Sequence, residues 1–364
     1  MPPPNVVLDA RFTRQMSVGM KTYVRELVAR LPGVAPDLNF IIVTNADIHA
    51  PSVEVIRISD AAAANFSFGE QVTLPRLMRG RADLSHFMSV YAPRFSPVPF
   101  VYTIHDLIHR RFSEYFSWKI PVYYTFVAKP LAHAARAVIT DARATLPDLK
   151  RHLDLAESSV RVVPLGVAEK YYVEESARAV RSHAARERFG LLAPYVLYAG
   201  NHRKHKNLET LAEAWSKLEV PCDLALTEDG PFTFVSDRYA SRYGRIVPLG
   251  HVDVEDLVAL YAGCAAAVQP SSYEGFGLSV LEGMAAGAPV IVSQTPALLE
   301  VAGDAALTFA HDDAASLAEQ LKTVIAGGPE IDALRARGRS RARAFTWDRT
   351  ARMTADVYRE ALRL

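Results

Sequence analysis

The chain has 364 residues, 50% of them apolar and 22% charged; this excludes a disordered or fibrous protein, and at about 150 residues per domain it indicates two domains or three. Lys plus Arg (41) and Asp plus Glu (40) nearly cancel, so no global field recommends nucleic acid as a partner. The two cysteines, Cys222 and Cys264, are too few for a disulfide framework or a four-ligand zinc site, and they fit a reducing compartment.

Short β-rich runs alternate with helical periods along the chain. Residues 5–9 read as a strand, followed by a loop and a helix over about 20–31 with Leu27, Val28 and Leu31 on its apolar face. Further strands are expected at 40–44, 53–58, 100–104, 137–140 and 160–165, with a helix over 142–153. Residues 168–193 are rich in Glu, Arg, Ala and Ser and carry no strand signal, which places a domain boundary near residue 170. The second half repeats the alternation more cleanly. Strands are expected at 195–199, 223–226, 245–249, 265–269 and 289–293. Helices are expected over 207–218, 254–262, 278–286, 313–326 and 331–344, with Asp253 and Asp256 suiting a capped start. Such alternation predicts two doubly wound α/β domains with parallel sheets, and ligands at the carboxyl ends of the strands in a crevice between the domains.

The start, MPPPNVVLDARF, has no basic lead, and Asp9 interrupts its short apolar run, so no signal peptide is expected. No uninterrupted apolar stretch approaches the roughly 18 residues of a spanning helix. A cytoplasmic protein is expected, at most peripheral at the inner face of the membrane.

The strongest local pattern is Ser271-Ser-Tyr-Glu-Gly-Phe-Gly-Leu-Ser-Val-Leu-Glu282, directly after a predicted strand. Gly275 and Gly277 form a turn into a helix near Leu278, which offers free backbone N–H groups and a positive helix end to an anion. Glu274 in the turn and Glu282 one helical turn in would repel a phosphate, but each suits a sugar or ribose hydroxyl. Acidic residues placed for the helix dipole would explain either glutamate, though not the glycines and the strand end as well. Upstream, Gly200-Asn-His-Arg-Lys-His-Lys-Asn207 puts Arg203, Lys204 and Lys206 at a strand's carboxyl end. They read as a diphosphate clamp, with a solvated basic loop as the alternative. His202 and His205 have no third ligand spaced to make a metal site. His105 and Asp106 close another strand; a structural histidine with satisfied hydrogen bonds explains His105 equally well, and the spacing to His109 lacks the glutamate of a zinc helix. Gly19, after the first strand, would permit close backbone approach to a ligand. There is no P-loop, no G-x-G-x-x-G after the first strand and no G-x-S-x-G elbow.

Glu274-Gly-Phe-Gly-Leu-Ser-Val-Leu-Glu282 resembles the E-x7-E signature of glycosyltransferase family 4, retaining enzymes of the GT-B fold. Gly200 to Leu208, Val247-Pro-Leu-Gly-His-Val252, Ala286-Gly-Ala-Pro-Val-Ile-Val-Ser293, Thr103-Ile-His-Asp106 and Val163-Pro-Leu-Gly166 resemble other landmarks of the family in the same order, spanning nearly the whole chain. The resemblance implies two Rossmann-like domains, residues 1–170 on the acceptor side and 171–345 on the donor side, with a C-terminal helix over 346–364 crossing back to the first. It implies transfer of a sugar from a nucleotide diphosphate sugar to an acceptor hydroxyl, with retained α configuration. Carried over, Arg203 and Lys206 would hold the diphosphate and stabilise the leaving group. Glu282 would bind the ribose diol and Glu274 the donor-sugar hydroxyls. Backbone N–H groups of Gly277, Leu278 and Ser279 would assist, His105 would contact the sugar near its anomeric centre, and Gly19 would let the first domain approach the diphosphate. Enzymes of this family generally need no bound metal and the chain offers no convincing cage, so no metal or other cofactor is expected; the leaving phosphate is thought to take the acceptor's proton on the same face, so no protein nucleophile is needed. The layout of His105-Asp106 and the signature looks most like bacterial polysaccharide mannosyltransferases, which favours GDP-mannose over UDP-sugars.

Two departures stand out. Thr227-Glu-Asp-Gly230 follows a strand where the family often has glycine at once, and Asp141 stands where serine is common, so no role is carried over to it. The acceptor is expected to be a saccharide or a lipid-linked acceptor. Cations and aromatics interleave over 110–126, which fits either peripheral membrane contact or, somewhat better, a helix whose aromatics are core. A nucleotide-sugar epimerase and a catalytically silent nucleotide-sugar-binding subunit are the competing readings. A phosphorylase would usually need a pyridoxal-phosphate lysine and a much longer chain.

Overall fold

The computed structural model describes residues 2–13, 16–48, 50, 53–65, 67–112, 119–191, 194–227 and 238–363. The chain divides into two compact units, Met1–Gly166 with Trp347–Leu364, and Val167–Thr346.

The first unit is built on a seven-stranded sheet, with β1 (Asn5–Asp9), β2 (Asn39–Thr44), β3 (Glu54–Arg57), β4 (Leu84–Phe87), β5 (Phe100–Thr103), β6 (Ala137–Thr140) and β7 (Val160–Val162) in the order β3-β2-β1-β4-β5-β6-β7. All pairings are parallel. Helices cover both faces, so the central strands are buried throughout and read as unbroken apolar runs such as Phe40-Ile-Ile-Val43. β4 is the exception and was not expected from the sequence: Ser85 and His86 break its apolar run, yet both are fully buried. His86 is accommodated by a hydrogen bond at each ring nitrogen, between Nδ1 and the Tyr358 hydroxyl at 2.6 Å and between Nε2 and Thr103 Oγ1 at 2.7 Å, one nitrogen donating and the other accepting. Burial, with the nearby charge of His105, holds its pKa down to about 3, so the ring is neutral.

The helix Trp347–Arg363 belongs to this unit. Trp347, Thr350, Ala351, Thr354, Ala355, Tyr358 and Ala361 line its buried face at helical spacing. Beyond β1, Arg11 is buried with every guanidinium N–H engaged, by Asp9, Glu70 and the carbonyls of Ala63 and Tyr91. A buried cation so saturated ties three segments together and leaves no donor for a ligand.

The second unit carries six strands, β8 (Tyr195–Tyr198), β9 (Asp223–Thr227), β10 (Ile246–Gly250), β11 (Ala266–Gln269), β12 (Val290–Ser293) and β13 (Leu307–Phe309), in the order β10-β9-β8-β11-β12-β13, again all parallel. The expected strands and helices are present. The helices Phe68–Met78, Glu175–Phe189 and Pro296–Ala302 and the three-residue β13 were not expected. Glu175–Phe189 lies in the stretch read as unpatterned; its charged composition masks the period, and Gly190 stops it in a left-handed conformation (φ +63°). In each unit the strand order reverses beside the first strand, between β1 and β4 and between β8 and β11, where doubly wound sheets open a crevice for ligand at the strands' carboxyl ends.

Candidate active site

In the second unit the two loops at this reversal are the basic loop after β8 and the glycine turn after β11. The basic loop turns sharply. Tyr198 donates from its hydroxyl to the Asn201 carbonyl at 2.6 Å, and a Cβ on Gly200 would lie 2.8 Å from that hydroxyl oxygen. Arg203 and Lys204 are exposed, His205 is buried, and Lys206 is half-buried at the end of a 3-10 turn. Asn207 then adopts a left-handed conformation (φ +56°). Its side-chain amide donates to the carbonyls of Pro270 (3.2 Å) and His311, and its Oδ1 accepts from Thr210 Oγ1 (2.9 Å). The Ser272 backbone N–H donates to the His205 carbonyl at 2.8 Å. The two loops are therefore one assembly.

Lys206 Nζ donates to Glu274 Oε1 at 2.7 Å. Gln269 Nε2 donates to the same oxygen at 2.7 Å and to Ser271 Oγ at 2.9 Å, while Gln269 Oε1 accepts from Ser279 Oγ at 3.3 Å. Burial pushes the Glu274 carboxyl up, but the Lys206 charge and the hydrogen bonds from Lys206, Ser271 and Gln269 outweigh it and hold Glu274 below the usual carboxylate range. Gly277 starts the helix Leu278–Ala285 at φ +118°, and no side chain caps the helix's N-terminal N–H groups. Glu282 lies one turn further in and is half-buried. Desolvation of the carboxyl by burial pushes its pKa up to about 7, against a hydrogen bond from Tyr171 and the charge of Lys170. One carboxylate is thus firmly ionised and the other is poised near neutral pH.

In the first unit, Gly19 is in the first turn of the helix Val18–Val34, capped by Ser17, whose Oγ accepts from the Met20 N–H at 3.3 Å. Its phi is ordinary, so the missing side chain is what it offers. His105 follows β5 and is 9% exposed. Its Nδ1 is 2.8 Å from Asp141 Oδ2, its Nε2 is 3.2 Å from the Met88 carbonyl, and the Tyr23 ring packs edge-on at 4.6 Å. Asp106 caps the next turn, accepting from the Ile108 N–H at 2.9 Å.

Sequence reasoning missed two residues here. Gln269 closes a strand and gave no signal. Asp141 was noticed as a departure and left without a role, because its partner lies 36 residues away. Among the described residues no group of three or more His, Cys, Asp or Glu could hold a metal ion. Of the cation–aromatic stretch, residues 113–118 lie outside the described residues. Ile120, Tyr123 and Tyr124 are core, while Val122 and Phe126 are 45% and 61% exposed. Of the loop after β9, Thr227 accepts from the Gly200 N–H at 3.1 Å, and residues 228–230 lie outside the described residues.

Two family models match, glycosyltransferase family 4 over residues 18–170 and glycosyl transferases group 1 over residues 193–327. Both models describe glycosyltransferases, and together they cover most of the chain. The O-antigen chain mannosyltransferase B of Escherichia coli is 32% identical over 45% of this chain and 45% of its own length. The MMP alpha-(1->4)-mannosyltransferase of Mycolicibacterium hassiacum is 29% identical over 72% of this chain and 66% of its own. The match thus spans less than two thirds of either relative. Among solved structures, the sucrose-phosphate synthase of Thermosynechococcus elongatus superposes with a TM-score of 0.75 at 20% identity, covering 98% of both chains. At that identity the likeness shows the fold, two Rossmann-like domains of the GT-B class.

Proposed function

We propose that the protein transfers a sugar from a nucleotide diphosphate sugar, GDP-mannose being the favoured donor, to a hydroxyl of a saccharide or lipid-linked acceptor, retaining the α configuration. The observation that carries this reading is the assembly of Lys206, Glu274, Gln269 and Ser279 at the strand reversal of the second unit, beside an uncapped helix N-terminus. The names of the two mannosyltransferase relatives support the sugar.

In this reading Arg203, Lys206 and the N–H groups of Gly277, Leu278 and Ser279 take the diphosphate and its departing charge. Glu274 holds donor-sugar hydroxyls, Glu282 the ribose diol, and His105 the sugar near its anomeric carbon. Gly19 leaves room for the diphosphate. The bond from the anomeric carbon to the phosphate oxygen breaks, and the bond to the acceptor oxygen forms on the same face. The acceptor's proton passes to the leaving phosphate. The protein's work is positioning and charge stabilisation.

A thermal-shift panel of GDP, UDP, ADP and their sugars without added metal tests the donor. A ligand at a hundred times its dissociation constant stabilises by about 2.7 kcal/mol. The guanine series should raise the melting temperature, and Glu282→Ala should abolish the rise. No response to any nucleotide would sink the reading in favour of a silent subunit. Turnover of GDP-mannose without acceptor would point to an epimerase. Peripheral membrane contact by the exposed Val122 and Phe126 with neighbouring cations is part of the proposal; it predicts salt-sensitive pelleting with anionic vesicles.

A further inference from the structure

Three adjacent strand ends of the first unit converge on one imidazole ring. Met88 follows β4, His105 follows β5 and Asp141 follows β6. A carbonyl oxygen can only accept, so the 3.2 Å contact to Met88 puts a proton on Nε2. Burial pushes the Asp141 carboxyl up and the charge and hydrogen bond of His105 pull it back; as a carboxylate it can only accept, so the 2.8 Å contact to its Oδ2 puts a second proton on Nδ1. Asp141 is 3% exposed, and its Oδ1 has no hydrogen-bond partner among the described residues. Its charge is therefore balanced through the one oxygen that faces His105.

We propose that Asp141 is the positioning residue of His105, its carboxylate holding the ring in one orientation and in the doubly protonated, cationic form. The groups facing the ring agree with this. Burial opposes charge on His105, but Asp141 and then Asp106 outweigh it, and the pKa is raised. His86, the nearest other base, stays neutral, and Tyr23 presents its ring while its hydroxyl is engaged by Thr103 at 3.1 Å. The longer contact, to Met88, is the one a ligand oxygen can replace. The cation then stays fixed by Asp141 and faces the donor. That last step rests on the glycosyl-transfer reading above; the pairing itself does not.

The test is a histidine NMR titration of the full-length protein without donor, with the His105 signal assigned by its loss in His105→Gln. His105 should titrate above the ordinary 6.5 or so, and in Asp141→Asn it should fall by about 1–3 units. With GDP-mannose as the probe donor, kcat of Asp141→Asn should drop about tenfold at pH 7 and recover as the pH is lowered through the variant's own, lowered His105 pKa. KM should change little. In a His105→Gln background the same change should cost nothing further. Asp141→Ser serves as a second variant if Asn fails to fold. A His105 that is neutral at pH 7 in the native protein, a titration unmoved by either variant, or additive losses in the double variant would overturn the proposal. A shifted titration in a protein that turns over no nucleotide sugar would uphold the pair and count against the transferase reading alone.

Discussion

Lys206 Nζ lies 2.7 Å from Glu274 Oε1, and so joins the loop after β8 to the turn after β11 where the strand order of the second unit reverses. The two side chains are 14% and 13% exposed, so each charge depends on the other. Lys206→Met should therefore destabilise the protein by roughly 1–3 kcal/mol, and adding Glu274→Gln should restore part of the loss. Urea denaturation of the four proteins of this cycle measures the coupling. Because Glu274 is held below its unfolded value, its contribution is present above about pH 4.3 and is lost as pH falls through the folded pKa. The gap between native protein and Lys206→Met should accordingly close on the acid side. A gap that is constant from pH 7 to pH 3 would rule out this ion pair as its source.

Glu282 has the opposite sign. Its folded pKa of about 7 exceeds the ordinary carboxylate value, so the folded protein binds the extra proton between about pH 4.5 and 7. Stability falls as pH rises through that window, and above it the full penalty remains, up to about 3 kcal/mol. Glu282→Gln should melt higher than the native protein at pH 8 and gain little at pH 5. If Glu282 grips the ribose diol as an anion, nucleotide binding at pH 6 should also release a proton. Calorimetry in buffers of different ionisation enthalpy detects that release.

Gly277 combines φ +118° with a neighbour, Leu298 Cδ2, that an added Cβ would meet at 2.8 Å. Both strain and overlap oppose any side chain. Gly277→Ala should cost about 1–3 kcal/mol and weaken nucleotide binding by displacing the first turn of the helix. Equal melting temperatures and equal nucleotide shifts would show that the turn relaxes freely.

Asn207 separates two costs that usually travel together. Asn207→Gly keeps the left-handed backbone and loses the three side-chain hydrogen bonds; Asn207→Ala loses both. Alanine should therefore be the worse of the two by about 1 kcal/mol. Guanidinium denaturation at a single pH measures the difference.

Much of this was legible in the residues. The strands with unbroken β-branched or aromatic runs were placed within a residue or two, because burial on both faces of a parallel sheet demands such runs. The glycine turn and the basic loop were legible because each packs its chemistry into fewer than a dozen consecutive residues. β4 was not legible, since His86 is tolerated in a buried strand by Thr103 and by Tyr358, the latter 272 residues further on. Nor was β13, whose three residues are too few to establish an alternation.

By itself, then, the sequence determined two doubly wound units and the resemblance to glycosyltransferase family 4. These depend on periodicity and on short contiguous patterns, which a linear reading can see. The tertiary structure alone decided which charges neutralise one another. It put Lys206 and Gln269 on the same oxygen of Glu274, and Asp141 on His105. It also set two glutamates of one signature on opposite sides of their ordinary range. The reason is that desolvation and Coulomb energy depend on distances in space and on the surrounding dielectric, and neither is written in the spacing along the chain.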